Sequence, residues 1–228
     1  MFASPVFYQQ YALDRQPILG QVLVRTLGNL MPEAYTVQNP PTFGPWVPQP
    51  DANMGDKAEQ FIHGYVSRRL APPEMVLRDC TLADLEDMAA FYQAVVRPLL
   101  RQCANLLLHN LDPSLEANSG SLSVTERTRL LRALYRFELF CNLFGQGPKA
   151  GRVRPVPGLS HAHILALLFG PLRSWEVEEV DCVYMLIRNK YDQVFDMIGR
   201  DLESPWIPKR EDRPPTPPGY WDSHETGM

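Results

Sequence analysis

Nowhere does this chain approach the ~20 consecutive apolar residues that a membrane-crossing helix needs, and neither end carries a lipidation motif. The opening residues, MFASPVFYQQYALDRQP, have no basic stretch followed by an apolar core, so no secretory leader is expected. Cysteine is sparse. Cys80, Cys103, Cys141 and Cys182 form no C-x-x-C pair and no disulfide-style cluster, and each falls at or beside an apolar helix position. That pattern predicts buried free thiols in a reducing compartment, with cytoplasm or nucleus as the expected location. An excess of positive charge is lacking too. The 22 basic and 26 acidic residues leave a net charge of −4, which argues against nucleic acid or an anionic membrane as a general partner. Linear catalytic signatures are also missing: there is no P-loop, G-x-G-x-x-G, G-x-S-x-G, H-E-x-x-H or kinase set. No cofactor is implied, and the expectation leans away from an enzyme, although a site without a linear motif stays open.

Proline is what the chain has in plenty. The 22 prolines gather at the N-terminus, around 32–50, around 148–157 and after 205. The stretches between them are nearly proline-free, and helices can run there because each residue keeps its N–H donor. No strand-period alternation of useful length and no internal repeat appear. The fold expected is therefore all-α: an irregular multi-helix domain with a proline-rich linker near the N-terminus and a disordered proline-rich C-terminal tail.

Residues 17–30 read as a first helix, with Leu19, Leu23, Leu27 and Leu30 on one face and Pro17 in its first turn. Residues 32–54 read as linker, with Trp46 the one candidate anchor. A second helix over 55–70 carries an apolar stripe and stops at Ala71-Pro72-Pro73. Thr81 and Asp84 form a capping-box-like pair for a helix that reaches Leu107, with a kink or break expected at Pro98. Ser123 and Glu126 make an S-x-x-E box for the next helix, which Gly145 ends. Ser160 caps HAHILALLF, an almost wholly apolar helix expected to be buried all round. Ser174 caps the last helix, whose acidic start, Glu176 to Asp181, suits the helix dipole, and whose stripe runs from Val180 to Leu202. The organisation is 1–54 for the first helix and linker, 55–203 for the helical domain and 204–228 for the tail. The expected core holds Phe61, Tyr65, Leu85, Tyr92, Leu134, Phe137, Leu165, Leu168, Val183, Ile187, Val194 and Phe195.

Four features are candidates for recognition or chemistry. Pro217-Pro218-Gly219-Tyr220 matches P-P-x-Y, the pattern WW domains read; a preformed polyproline II segment loses little entropy on docking and the tyrosine fills a second pocket. Pro217, Pro218 and Tyr220 are thus candidate protein-binding residues, with a WW-domain protein as the partner they fit. Arg127, Arg129, Arg132 and Arg136 lie on one helix, with Lys149, Arg152 and Arg154 just beyond, and Arg129, Arg132 and Arg136 are candidates for binding an anion or nucleic acid. The alternative is a solvated basic face, paired in part with Glu126 and Glu138. His161 and His163 form an H-x-H pair, but on a helix they point about 200° apart with no further ligand at matching spacing, so no metal site is expected. The Glu176–Asp181 cluster reads as dipole complementation rather than as a cation site.

Two segments carry a resemblance. LSVTERTRLLRALYRFELFCNLFG, residues 122–145, followed by SWEVEEVDCVYMLIRNKYDQVFDMIGRDL, residues 174–202, resembles a group of uncharacterised proteins from filamentous fungi, and LRDCTLADLEDMAAFYQAV, residues 77–95, is similar to the same group. Some members are labelled F-box-like, which implies an adaptor role in a ubiquitin ligase. The opening an F-box would show, L-P-x-E-(L/I), is echoed by Leu70 to Met75, but the spacing to Asp84-Leu85 is too short, and the echo reads as chance. Members also tend to run past the point where this chain stops, so the resemblance implies a short form of a longer protein; it implies no catalytic residues. The function expected is a non-catalytic helical module that binds another protein. An enzyme without a linear motif is the first alternative, and nucleic-acid binding through the basic helix 127–136 is the second.

Overall fold

A computed structural model describes residues 5–40, 53–111, 122–144 and 159–202. Among these residues every regular element is helical, as the proline-free stretches predict. The chain divides into Met1–Leu186 and Ile187–Met228. Trp46, the basic residues Lys149, Arg152 and Arg154, and the tail motif Pro217, Pro218 and Tyr220 lie outside the described residues.

In the first unit, α1 (Pro5–Leu13) leads into α2 (Arg15–Leu27). Gly28, at φ 52°, ends α2 in a region that L side chains rarely adopt. A 3-10 turn, Gly28–Leu30, hands the chain to α3 (Met31–Gln38). This helix corrects the sequence reading, which placed linker from residue 32. Pro32 stands in the first turn, where a missing N–H leaves no hydrogen bond unmade. Met31, Pro32, Ala34 and Val37 are buried, so α3 is part of the core. The next helix, α4 (Met54–Arg68), follows. Another unforeseen helix, α5 (Pro73–Asp79), begins at the prolines that stop the residues before them. It packs on α2 at Gly20, where an added Cβ would stand 2.6 Å from Leu77 Cδ1.

Thr81 and Asp84 form a full capping box on α6 (Leu82–Phe91). The kink expected at Pro98 takes a different form. The helix widens into a π-turn over Tyr92–Val96, in which the Arg97 N–H reaches back to the Tyr92 carbonyl, and α7 (Arg97–Leu111) then continues. Proline at 98 cannot donate to the carbonyl four residues earlier, and wider winding just ahead of it re-registers the ladder. Ser123 and Glu126 bond reciprocally at the start of α8 (Val124–Phe144), as the S-x-x-E box predicts. This helix packs against α3 and α7 and is buried along Leu130, Leu131, Leu134, Tyr135, Leu139 and Leu143.

Ser160 caps α9 (His161–Phe169), accepting from the His163 N–H. The helix is not buried all round: Ile164 and Leu168 face inward, while Leu165 is exposed. The last helix, α10, spans Ser174–Leu202. Ser174 is its first residue rather than its cap, and the Glu176 carboxylate takes the N–H of Arg173 instead. Its residues up to Leu186 belong to the first unit and bury Val180 and Val183. Half of the expected core is buried where the stripes placed it, at Tyr65, Leu85, Tyr92, Leu134, Leu168 and Val183, while Phe61, Phe137 and Ile187 are half-buried. Val194 and Phe195 are the clearest departures, being exposed. Cys80 and Cys103 are buried, Cys141 is half-buried, and Cys182 is exposed, against the expectation of four buried thiols. Burial, with Asp84 and Asp79 nearby, pushes Cys80 up to about 11, so it stays a thiol at neutral pH.

Candidate functional site

Three of the four arginines of α8 are held by carboxylates from other helices. Arg136, only 5% exposed, donates from Nη1 to Glu176 Oε1 at 2.8 Å, from Nη2 to Glu33 Oε1 at 3.2 Å and from Nε to the Tyr65 hydroxyl at 3.1 Å. Arg69 joins through Glu176 Oε2 at 3.6 Å and donates to the Pro171 carbonyl at 2.8 Å. Arg132 meets Glu179 in a two-pronged pair at 2.7 and 2.9 Å and lies over the Trp175 ring, 5.0 Å from its centre. Arg129 reaches Glu179 at 2.7 Å from a half-exposed position. The sequence singled out Arg129, Arg132 and Arg136 as an anion-binding face. Here all three are spent on interhelical ion pairs, and Arg136 is out of reach of solvent. Their partners are Glu179, Glu176 and Glu33, not Glu126 or Glu138 along the same helix. The acidic start of α10 likewise does more than complement a dipole: Glu176 and Glu179 clamp α8.

The electrostatics of this cluster are uneven. Burial raises the Glu33 carboxyl above the usual range, more than the guanidinium of Arg136 lowers it. Glu33 Oε2 has no hydrogen-bond partner among the described residues. Burial also works against the Glu176 carboxylate, but the Arg173 N–H and Arg136 outweigh it and the pKa ends lowered. A fully packed arginine between two carboxylates has no open position for a ligand, so this is a structural lock rather than a site.

Two clefts lie elsewhere on the first unit. A cleft of about 480 Å³ between the π-turn, α7 and the start of α8 is faced by Arg97, Arg101 and Arg127, with Tyr92 and Thr26 at its walls. Arg127 donates to the Tyr92 hydroxyl at 3.0 Å and Arg97 to Gln93 Oε1 at 3.0 Å. Among the described residues no acidic side chain lines the cleft. A second cleft of about 360 Å³, beside Tyr35, Lys57, Phe61 and Arg68, has no carboxylate, histidine or cysteine among the described residues of its wall. His163 lies apart from both, 3.3 Å from Glu59, and no cluster of three metal-ligating side chains occurs among the described residues. No helix among them is long and apolar enough to cross a membrane.

In the second unit, α10 presents an apolar face to solvent. Tyr191 is 62% exposed, Val194 51%, Phe195 66% and Ile198 47%. Sequence reasoning found this stripe but assigned it to the core, because periodicity shows that a face is apolar and not what covers it. Compared with family models, with curated proteins and with solved structures, the chain matches none.

Proposed function

We propose that this protein is a non-catalytic helical interaction module that docks an amphipathic helix on residues 187–202. The exposed run Tyr191, Val194, Phe195 and Ile198 carries the reading. Scattered exposed apolar residues are ordinary, but four on one face of one helix, two of them aromatic, form the kind of patch that marks a binding surface. A partner helix with apolar residues at i, i+3, i+4 and i+7 fits it. The F-box-like adaptor role and the P-P-x-Y contact with a WW-domain protein are supported by the sequence alone.

The test is a display selection of helical peptides against the full chain, repeated with the Phe195→Asp, Ile198→Asp double variant. Enrichment of peptides with that spacing, lost in the variant, is expected. Equal enrichment by both proteins, or none by either, would overturn the reading.

A second reading has its own observation. Arg97, Arg101 and Arg127 line a cleft with no carboxylate among the described residues, whereas the arginines packed between the helices are paired with one. We infer that this cleft takes a small phosphate- or carboxylate-bearing ligand, and that it, rather than Arg129, Arg132 and Arg136, is where an anion would bind. Inorganic phosphate should raise the melting temperature of the protein but not that of an Arg97→Ala, Arg101→Ala variant; an equal rise in both would remove the reading.

A further inference from the structure

We propose that the partner helix is the same helix of a second copy of this chain, running antiparallel about a two-fold axis between Val194 and Phe195. This rests on the docking reading above and names the occupant.

The spacing of the apolar positions carries the argument. At about 100° per residue, positions 187, 191, 194, 195, 198 and 202 all lie within about 50° of one line along the helix. They hold Ile187, Tyr191, Val194, Phe195, Ile198 and Leu202. Their order also reads the same from either end. Turning the helix end for end about the midpoint of Val194 and Phe195 carries position 187 onto 202, 191 onto 198 and 194 onto 195. An antiparallel second copy therefore lays an apolar residue against an apolar residue at every level. The same patch serves both copies, so the contact closes at two.

Apolar matching alone would also permit a parallel pair, and the flanking charges decide between them. In a parallel pair Lys190 of each copy runs between Arg188 and Asp192 of the other, which already meet each other at 3.9 Å, so that flank gains no net attraction. In the antiparallel pair Lys190 comes within one turn of position 201 on the same flank, which the sequence makes an aspartate, a contact made twice. Arg188 then lies beside position 199, a glycine, where no side chain competes for space. The charge pattern thus favours the orientation in which the apolar spacing is self-complementary.

The contact is short. Sixteen helical residues span about 24 Å. Two such stripes bury roughly half of the ~800 Å² per partner typical of a stable complex. Weak association is accordingly expected, giving a dimer that forms and dissolves with concentration.

The experiment combines sedimentation equilibrium of the full chain with disulfide trapping. A Cys182→Ser background removes the exposed native thiol. Tyr191→Cys and Ile198→Cys are made separately in it, and each is oxidised alone and as an equal mixture. The mixture should give a cross-linked dimer and the single preparations should not, because the two positions face each other only in the antiparallel register. The unmodified chain should show concentration-dependent dimerisation, abolished by Phe195→Asp with the circular dichroism and melting temperature unchanged. Cross-linking of Tyr191→Cys alone would overturn the register, and a dimer insensitive to Phe195→Asp would overturn the surface. A chain that stays monomeric while still selecting helical peptides through this stripe would sink the second copy and leave the docking reading standing. Loss of both results would sink both.

Discussion

Arg136 and Glu33 meet at 3.2 Å across 103 residues of sequence, and the guanidinium that joins them also holds Glu176 from a third helix and the Tyr65 hydroxyl from a fourth. One side chain thus ties α3, α4, α8 and α10 together in a place where water does not compete. Removing it leaves two carboxylates buried or half-paired. Arg136→Met is expected to cost about 3–5 kcal/mol, the range for breaking a buried pair from one side. Urea unfolding followed by circular dichroism measures this. Arg136→Met combined with Glu33→Gln and Glu176→Gln should recover part of the loss, since the stranded charges are gone; failure of the triple variant to recover any would place the cost in packing instead.

The two carboxylates should respond to pH in opposite directions. The folded-state pKa of Glu33 is raised, so the native protein holds that proton more tightly than the unfolded chain. Its contribution is fully present below the unfolded value near ~4.3 and is lost as pH rises through the folded value. Glu176 is lowered, so its contribution is present above the unfolded value and lost as pH falls through the folded one. Glu33→Gln should therefore gain stability relative to the wild type as pH is raised from acid to neutral. Glu176→Gln should be destabilising at neutral pH, with the penalty fading on acidification. Denaturant midpoints of the three proteins across that range check both signs, and parallel curves would show that neither carboxylate titrates with folding.

How much of this was legible in the sequence depended on how far apart the interacting groups lie. The caps at Thr81, Ser123 and Ser160 involve partners three residues away, and they stand where the sequence put them. The helices at 31–38 and 73–79 were missed because proline was read as a breaker. Pro32 and Pro73 sit in the first turn, where the missing N–H has nothing to break. The four-helix cluster around Arg136 was out of reach, because nothing local links Glu33, Tyr65 and Glu176. A signal existed: Arg136 follows Leu134 and Tyr135 and precedes Leu139 and Leu143 on the buried side of α8. An arginine on an inward face requires a carboxylate from elsewhere. The α10 stripe was read correctly as apolar, and as covered correctly at Val180 and Val183 but wrongly from Tyr191 to Ile198.

Arg129 and Arg132 share Glu179 but should not matter equally. The Arg129 side chain is 52% exposed, and its pair with Glu179 is open to water and salt. Arg132 makes the two-pronged contact, is mostly covered and lies over Trp175. Arg129→Ala is expected to cost less than about 0.5 kcal/mol, in line with exposed pairs. Arg132→Ala should cost about 1–2 kcal/mol, because a planar bidentate pair and a stacking contact go together. Thermal unfolding of both variants at low and high salt separates them: the small effect of Arg129→Ala should vanish in salt and that of Arg132→Ala should persist.

Tyr135 offers a change in the other direction. Its side chain is fully buried on α8, its ring packs against Phe91 with centroids 6.1 Å apart, and its hydroxyl has no hydrogen-bond partner among the described residues. Burial also raises its pKa, so the hydroxyl stays neutral. A buried hydroxyl without a partner loses its bonds to water on folding and gains none in return. The ring supplies the packing and the oxygen only the cost, so Tyr135→Phe should stabilise the protein by about 1 kcal/mol. For the first unit that would appear as a melting temperature higher by a few degrees. A loss of similar size would instead mean that the hydroxyl is bonded, through a buried water or a segment outside the described residues, and a Tyr135→Phe crystal structure would show which group is left open.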